Sequence, residues 1–439
     1  MPVISGFSKL TKEEKIKWVV KHYFDDDQSV VEEFENFWHP DQKIQDNIDE
    51  FSENTLTNFY MPFGVAPNFK INGKNYCLPM VIEESSVVAA ACNSAKFWLD
   101  KGGFKTEILS TTKVGQVHFK YKGDKAQFIN YFAELKPQLL EGAAYLSASM
   151  EARGGGVVDI ELIDMTAFEP DYFQLKVGFE TCDAMGANYI NTVLEEYGSL
   201  LKEIISKNAD FTEIPDVILC IVSNYTPDCI ARAKVECKIE DLGSVNGMPP
   251  EEFAEKVRAA VRIAEVDPHR ATTHNKGIYN GVDALILATG NDFRAVEACG
   301  HTYAARNGRY SSLTHCTVEN GIFKFWIDLP MALGTVGGLT NLHPIVKRSF
   351  EMLGNPNSSE LMQIVAVAGL AQNFAAIKSM VTVGIQKGHM KMHLLNILKQ
   401  LGASESEKKA AIEYFKTNVV SFAAAKFLLT TLRNDQKVH

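Results

Sequence analysis

Between residues 111 and 225 the hydrophobic pattern changes period in a fixed order, and that order constrains the fold of this chain more than any other feature. Alternating apolar residues predict a strand around Gln116–Tyr121, and a 3.6-residue stripe predicts a helix from Lys125 to Leu139. Strands follow at Val157–Ile163 and Phe173–Phe179. Ile190, Leu194, Tyr197, Leu201 and Ile204 then share one stripe of a helix from Ala187 to Ser206, and Pro215–Val222 reads as a closing strand. The order β-α-β-β-α-β is the split βαβ, or ferredoxin-like, pattern. It implies a small unit inserted into a larger one.

Around it the periodicity is mostly helical. The first fifty residues form a charged helical arm with Ile16, Val19, Val20 and Tyr23 on one face. An apolar helix runs from Val87 to Leu99 and stops at Gly102–Gly103. After residue 225 come a strand at Arg232–Ile239 and a helix from Glu251 to Glu265 stopped by Pro268. A Gly/Asn/His-rich segment, Arg270 to Asp292, has the composition of a functional loop, and a helix from Asn291–Asp292 to Arg306 follows it. From about Ser358 the chain is helical, with breaks at Gly384–Gly388 and Gly402. The expected class is α+β: a large α/β domain built from 1–110 and 226–377, the inserted unit at 111–225, and a helical flap at 378–439.

Charge and cysteine usage exclude several functions. With 44 Lys+Arg against 54 Asp+Glu the net charge is −10, and no basic cluster offers a surface to nucleic acid or an anionic membrane. The stretch Ile364 to Ile385 is interrupted by Gln372, Asn373 and Lys378, too polar for a spanning helix of roughly 20 apolar residues. The N-terminus lacks the apolar core of a secretory signal, and the eight cysteines contain no CxxC pair. Reduced thiols in a cytoplasmic protein are the consistent expectation.

Neither G-x-G-x-x-G after a strand nor G-x-x-x-x-G-K-[ST] occurs. A different anion cradle is available at DAMGAN, Asp183 to Asn188, where Gly186 permits close approach and a long helix begins with free N–H groups. The plain alternative is a helix start capped by Asp183. Glu83 and Glu84 stand at the entrance of the Val87 helix, and Asp292 at the start of a later one, so capping competes with catalysis for both sites. A helix N-terminus favours the ionised carboxylate, so a general acid there needs burial or a second carboxylate to override it. Lys276 in THNKGIYNG is by itself a surface lysine. His389 and His393, four apart, could share a helical face, but no Cys, Asp or Glu at ligand spacing supports a metal.

Taken together, these segments resemble 3-hydroxy-3-methylglutaryl-coenzyme A (HMG-CoA) reductases of the bacterial class II type. The matching runs occur in chain order: SENTLTNFYMPFGVAPNFKING from Ser52, PMVIEESSVVAAA from Pro79, DAMGANYINT from Asp183, DPHRATTHNKGIYNGVDALILATGNDFRAVEA from Asp267, GTVGGLTNLHP from Gly334 and GIQKGHMKMH from Gly384. Two departures are local: the family's ENVIG reads ENTLT from Glu53, and its EEPS reads EESS with Ser85 in place of proline.

The resemblance implies catalytic roles for Glu84, Lys276, Asp292 and His389, and contacts to the HMG moiety from Ser86, Arg270, Thr273, Asn280 and His393. It implies cofactor contacts from Asp183, Met185, Gly186, Ala187, Asn188 and Asn224. It also implies conversion of HMG-CoA to mevalonate and CoA by two hydride transfers from NADPH or NADH, without a metal, in a homodimer whose active site lies at the subunit interface. Glu84 and Asp292 would hold Lys276 between them, and their closeness would let them share a proton. NADPH is the expected preference, because NAD-using relatives carry an acidic residue where Ser147 falls here, with Arg153 nearby to meet a 2′-phosphate. Glu151 is the alternative discriminator. A reductase of another acyl-CoA thioester, or a non-catalytic thioester-binding protein on the same scaffold, are the competing readings.

Overall fold

The computed structural model describes residues 3–340, 342–382 and 394–435. An N-terminal arm of three helices comes first: α1 (Lys12–Tyr23), α2 (Gln28–Asn36) and α3 (Gln42–Asp49). Thr11 and Glu14 form a capping box at the start of α1, and Ile16 and Val20 of the expected face are buried, whereas Tyr23 is exposed. A hairpin follows, β1 (Phe63–Ile71) and β2 (Lys74–Val81), turning at Asn72–Gly73, where both residues have positive φ. It feeds α4 (Val87–Leu99) and β3 (Lys105–Thr111).

The inserted region comprises β4 (Lys113–Lys120), α5 (Lys125–Glu151), β5 (Gly156–Asp164), β6 (Tyr172–Glu180), α6 (Ala187–Lys207) and β7 (Asp216–Val222). Its sheet has the order β5-β6-β4-β7, every pair antiparallel. Phe119, Leu135, Leu139, Leu175, Val177, Ile190, Leu194 and Leu201 close a core of its own between sheet and helices. Helix α5 contains Pro137, as expected, and runs a dozen residues past the expected end at Leu139. Pro in a helix interior costs about 3 kcal/mol. The continued stripe Leu139, Ala143, Ser147 and Met150 is buried and offsets that cost.

The second sheet, β3-β8-β10-β9, adds β8 (Cys229–Lys238), β9 (Thr314–Glu319) and β10 (Ile322–Pro330). Helices α7 (Pro250–Val266), α8 (Pro268–Ala288), α9 (Phe293–Ala304), α10 (Pro344–Leu353) and α11 (Ser358–Val381) complete the large core. Helical residues at 394–400 and the helices Glu405–Tyr414 and Phe422–Asp435 enclose a third core of Leu394, Leu398, Ala411, Phe415 and Leu429.

The Gly/Asn/His-rich segment is not a loop but most of α8: Asp267 caps it by accepting from His269 and Arg270 N–H groups, and Pro268 occupies its first turn. Pro268 therefore opens a helix as well as closing the one before, because proline lacks an N–H that a first turn cannot use. Helix α11 has the length and apolarity of a membrane span, yet most of it is buried inside this core, which is why it is apolar all round.

Helices α8 and α11 meet at backbone distance. A Cβ on Gly281 would lie 2.5 Å from the Ala368 carbonyl oxygen and 2.8 Å from Gln372 Cβ, so only glycine fits. Gly281→Ala is expected to force the helices apart and lower stability by ~1–3 kcal/mol in denaturant unfolding. An unchanged midpoint would show that the two helices are free to part.

Candidate active site

Helix α8 has two faces. Ile278, Tyr279, Val282 and Leu285 enter the core, while Arg270, Thr273, Lys276 and Asn280 recur every three or four residues along the other side. That second face lines a cleft of about 600 Å³, closed by Glu84, Ser86 and the first turns of α4 on one wall and by Gln372, Lys378 and Met380 of α11 on the other.

At its mouth the Lys276 ammonium donates to Glu84 Oε2 at 2.7 Å. The two side chains are 61% and 43% exposed, and an ion pair that wet contributes little to stability. Its geometry matters instead. Glu84 does not cap α4; the capping position is Ser86, in the left-handed conformation, and Glu84 is thereby free to face Lys276. Arg270 is half-buried, donates to Met380 Sδ at 3.5 Å, and meets no carboxylate among the described residues; burial pushes its pKa down. A buried guanidinium without a counter-charge is a receptor for a carboxylate.

The cleft floor is neutral. His274 is 1% exposed, and burial holds its pKa down at about 3. Its Nε2 lies 2.5 Å from Thr314 Oγ1, which donates to Asn373 Oδ1 at 3.0 Å, so Nε2 carries the proton. A floor without charge leaves Arg270 and Lys276 to set the potential.

The second candidate region is the Asp183–Asn188 turn between β6 and α6. Asp183 does not cap α6; Gly186 does, with φ 95°, and Asp183 Oδ1 accepts instead from Ser358 N at the start of α11. Among the described residues no side chain caps the first N–H groups of α6, which suits an anion. Thr335 N donates to Asp183 O at 2.9 Å, and Gly334 N to Asn291 Oδ1 at 2.9 Å. The segment from Gly334 therefore bridges the anion turn to the residue beside Asp292. Met185 and Asn224 line a shared water-sized pocket next to it.

A family profile described as hydroxymethylglutaryl-coenzyme A reductase matches residues 12–394. The chain belongs to this family. It is 36% identical to the 3-hydroxy-3-methylglutaryl-coenzyme A reductase of Archaeoglobus fulgidus over 98% of this chain and 95% of that one. It is 30% identical to a probable reductase of Borreliella burgdorferi over 99% of each. A class II HMG-CoA reductase of Streptococcus pneumoniae bound to NADPH in open conformations superposes with a TM-score of 0.70 at 36% identity, over 92% of this chain and 99% of that one. The chain is thus an oxidoreductase that converts HMG-CoA to mevalonate.

Against the residues expected for such a reductase, the cleft gathers Glu84, Lys276, Ser86, Arg270, Thr273 and Asn280. Asp292 is not among them. Its carboxylate caps α9, accepting from Arg294 and Ala295 N–H groups, and pairs with the Arg294 guanidinium at 3.1 Å. Partial burial raises its pKa, but the Arg294 side-chain bond and the two N–H bonds outweigh this and leave it below the ordinary value. The expected sharing of a proton with Glu84 is therefore not formed within one chain. Ser147 also departs from expectation: it is 3% exposed and bonded to Tyr189 OH at 2.7 Å, committed to the interior. Glu151 and Arg153 are both exposed at that helix end. His389 and His393 lie outside the described residues.

The sequence reading missed Lys378, whose ammonium donates to Asn93 Oδ1 at 2.6 Å and lies 4.8 Å from the Phe97 ring centroid, without a carboxylate among the described residues. The available signal was there. Gln372, Asn373 and Lys378 interrupt an apolar helix at the positions that reach the cleft.

Two turns beyond Lys276, Asp283 faces Glu297 of α9. Burial, the Glu297 charge and a hydrogen bond between the two carboxyls push Asp283 up to about 8, against a smaller opposing pull from Lys276. A carboxyl raised in the fold stabilises it fully below its ordinary value of 3.8 and loses that contribution as pH rises toward 8. Wild-type stability should therefore fall from about pH 5 to about pH 8, and Asp283→Asn should flatten that slope. Parallel slopes in the two proteins would show that Asp283 ionises normally.

Proposed function

We propose that the α8 cleft receives the HMG-CoA thioester, with Glu84 and Lys276 at the reacting carbon and the Asp183–Asn188 turn holding the cofactor. The Lys276–Glu84 bond in a cleft that also holds an unpaired arginine carries this reading. Arg270 takes the free carboxylate of the HMG moiety, while Ser86, Thr273 and Asn280 supply polar contacts around it. Lys378 extends the positive wall toward the phosphates of CoA. His393 completes the substrate surroundings by resemblance.

When bound, NADPH supplies two hydrides in succession. The N–H groups at the start of α6, which no side chain caps among the described residues, together with Met185, Ala187, Asn188 and Asn224, suit a dinucleotide diphosphate. Lys276 stabilises the oxyanion on the former thioester carbon. His389 protonates the departing CoA thiolate. Glu84 orients Lys276, and one of the two supplies the proton that completes the alcohol.

The four-stranded unit would be a ferredoxin-like cofactor domain at 111–225, the segments 1–110 and 226–377 the substrate domain, and 378–439 a flap that carries His389. Asp292 stands outside the cleft of its own chain, as a residue contributed to a second copy would, so we read the active form as a homodimer. Eight free thiols and a buried α11 suit a cytoplasmic enzyme.

Lys276→Ala is expected to cut turnover by ~10²–10³ while CoA-thioester binding persists, because the charge acts chiefly in the transition state. Near-wild-type turnover in that variant rules out the assignment. With Arg153 exposed beside the helix end, NADPH should be preferred over NADH by roughly ten- to a hundredfold in kcat/KM, the value of a charge-assisted bond. A preference for NADH would instead assign the discrimination to Glu151.

A further inference from the structure

Lys113, the first residue of β4, is 3% exposed, and no mechanism above uses it. Burial lowers its pKa, opposed in smaller measure by Cys229, Glu180, Cys182 and Asp183. None of these carboxylates forms an ion pair with it among the described residues. A buried ammonium is costly unless its donors are used, and an apolar side chain would fill the space at less cost.

The donors go to one short stretch of chain. Nζ donates to Thr181 Oγ1 and, at 3.1 Å, to the Ala184 carbonyl. Thr181 Oγ1 in turn donates to Ala184 O at 2.7 Å. The Thr181 side chain fills the space beneath Gly186: a Cβ there would come within 2.5 Å of Thr181 Cγ2. Lysine, threonine and glycine thus form a stack whose top is the uncapped start of α6. Lys113 also lines the water-sized pocket shared by Met185, Asn224 and Ala295 of the first turn of α9.

We propose that Lys113 is a positioning residue which, acting through Thr181, fixes the Asp183–Asn188 turn in the conformation that receives the cofactor. The proposal rests on the reading of that turn as the cofactor site. Lys113 touches no reacting atom; its effect is on how well the turn is formed before the cofactor arrives.

The test is the rate of NADPH oxidation at saturating HMG-CoA, with NADPH varied, for Lys113→Met, Thr181→Val, the double variant, and Asn188→Ala as reference. Each single change is expected to raise KM for NADPH about tenfold, with kcat falling less than roughly threefold and KM for HMG-CoA nearly constant. The double variant should be no worse than the poorer single, since both cut the same link. A purely structural role would lower stability without this split. An unchanged KM for NADPH in folded Lys113→Met, or losses that multiply in the double variant, overturns the proposal. If Lys113→Met does not fold, Thr181→Val decides alone, and an unchanged KM there overturns it. If Asn188→Ala leaves KM for NADPH unchanged, the cofactor reading of the turn falls and the proposal with it. If Asn188→Ala raises it and Lys113→Met does not, only the positioning role is lost.

Discussion

The close crossing of α8 and α11 is the constraint on which the rest of the molecule depends. Gly281 lets the two backbones touch, and that contact brings the Arg270–Asn280 face of one helix opposite Gln372, Lys378 and Met380 of the other. Glu84, Ser86 and the first turns of α4 then supply the third wall. These helices are packed into one core, which fixes the walls they give the cleft, while the Lys276–Glu84 pair stays exposed at its mouth.

Charge placement follows from that packing. The chain as a whole is acidic, yet Arg270, Lys276 and Lys378 converge on the cleft, with Glu84 as the one carboxylate in its lining among the described residues. His274 is too deeply buried to protonate and adds no charge. The cleft therefore presents a positive wall over a neutral floor, with the Lys276–Glu84 pair exposed at its mouth. The same logic acts at the turn before α6, where bare N–H groups sit above a buried ammonium.

Much of this was legible beforehand, and the exceptions have physical causes. Alternation located the strands β4, β5, β6 and β7 to within a few residues, whereas α5 continues a dozen residues past its expected end. The segment from Arg270 misled because α8 turns its polar face to the cleft and a hydrogen-bonded polar layer of His274 and Asn275 to the interior, so no apolar stripe marks its first half. The family resemblance singled out Glu84, Lys276 and Asp292 together, but which carboxylate faces the lysine is a three-dimensional fact: Glu84 does, and Asp292 is held by Arg294. Ser147 was placed by sequence offset, which cannot tell an outward helix position from one that points at Tyr189. Lys113 carried no sequence signal, since a lysine opening a strand reads as exposed.

In the proposed mechanism Glu84 and Lys276 act as one catalytic unit within the cleft. A double-mutant cycle on kcat for HMG-CoA reduction, with Glu84→Gln, Lys276→Met and the pair combined, tests it most directly. If the pair acts as a unit, the double variant will lose no more than the more damaging single change. Losses that multiply would mean that the two residues work independently and that their bond is incidental to the reaction.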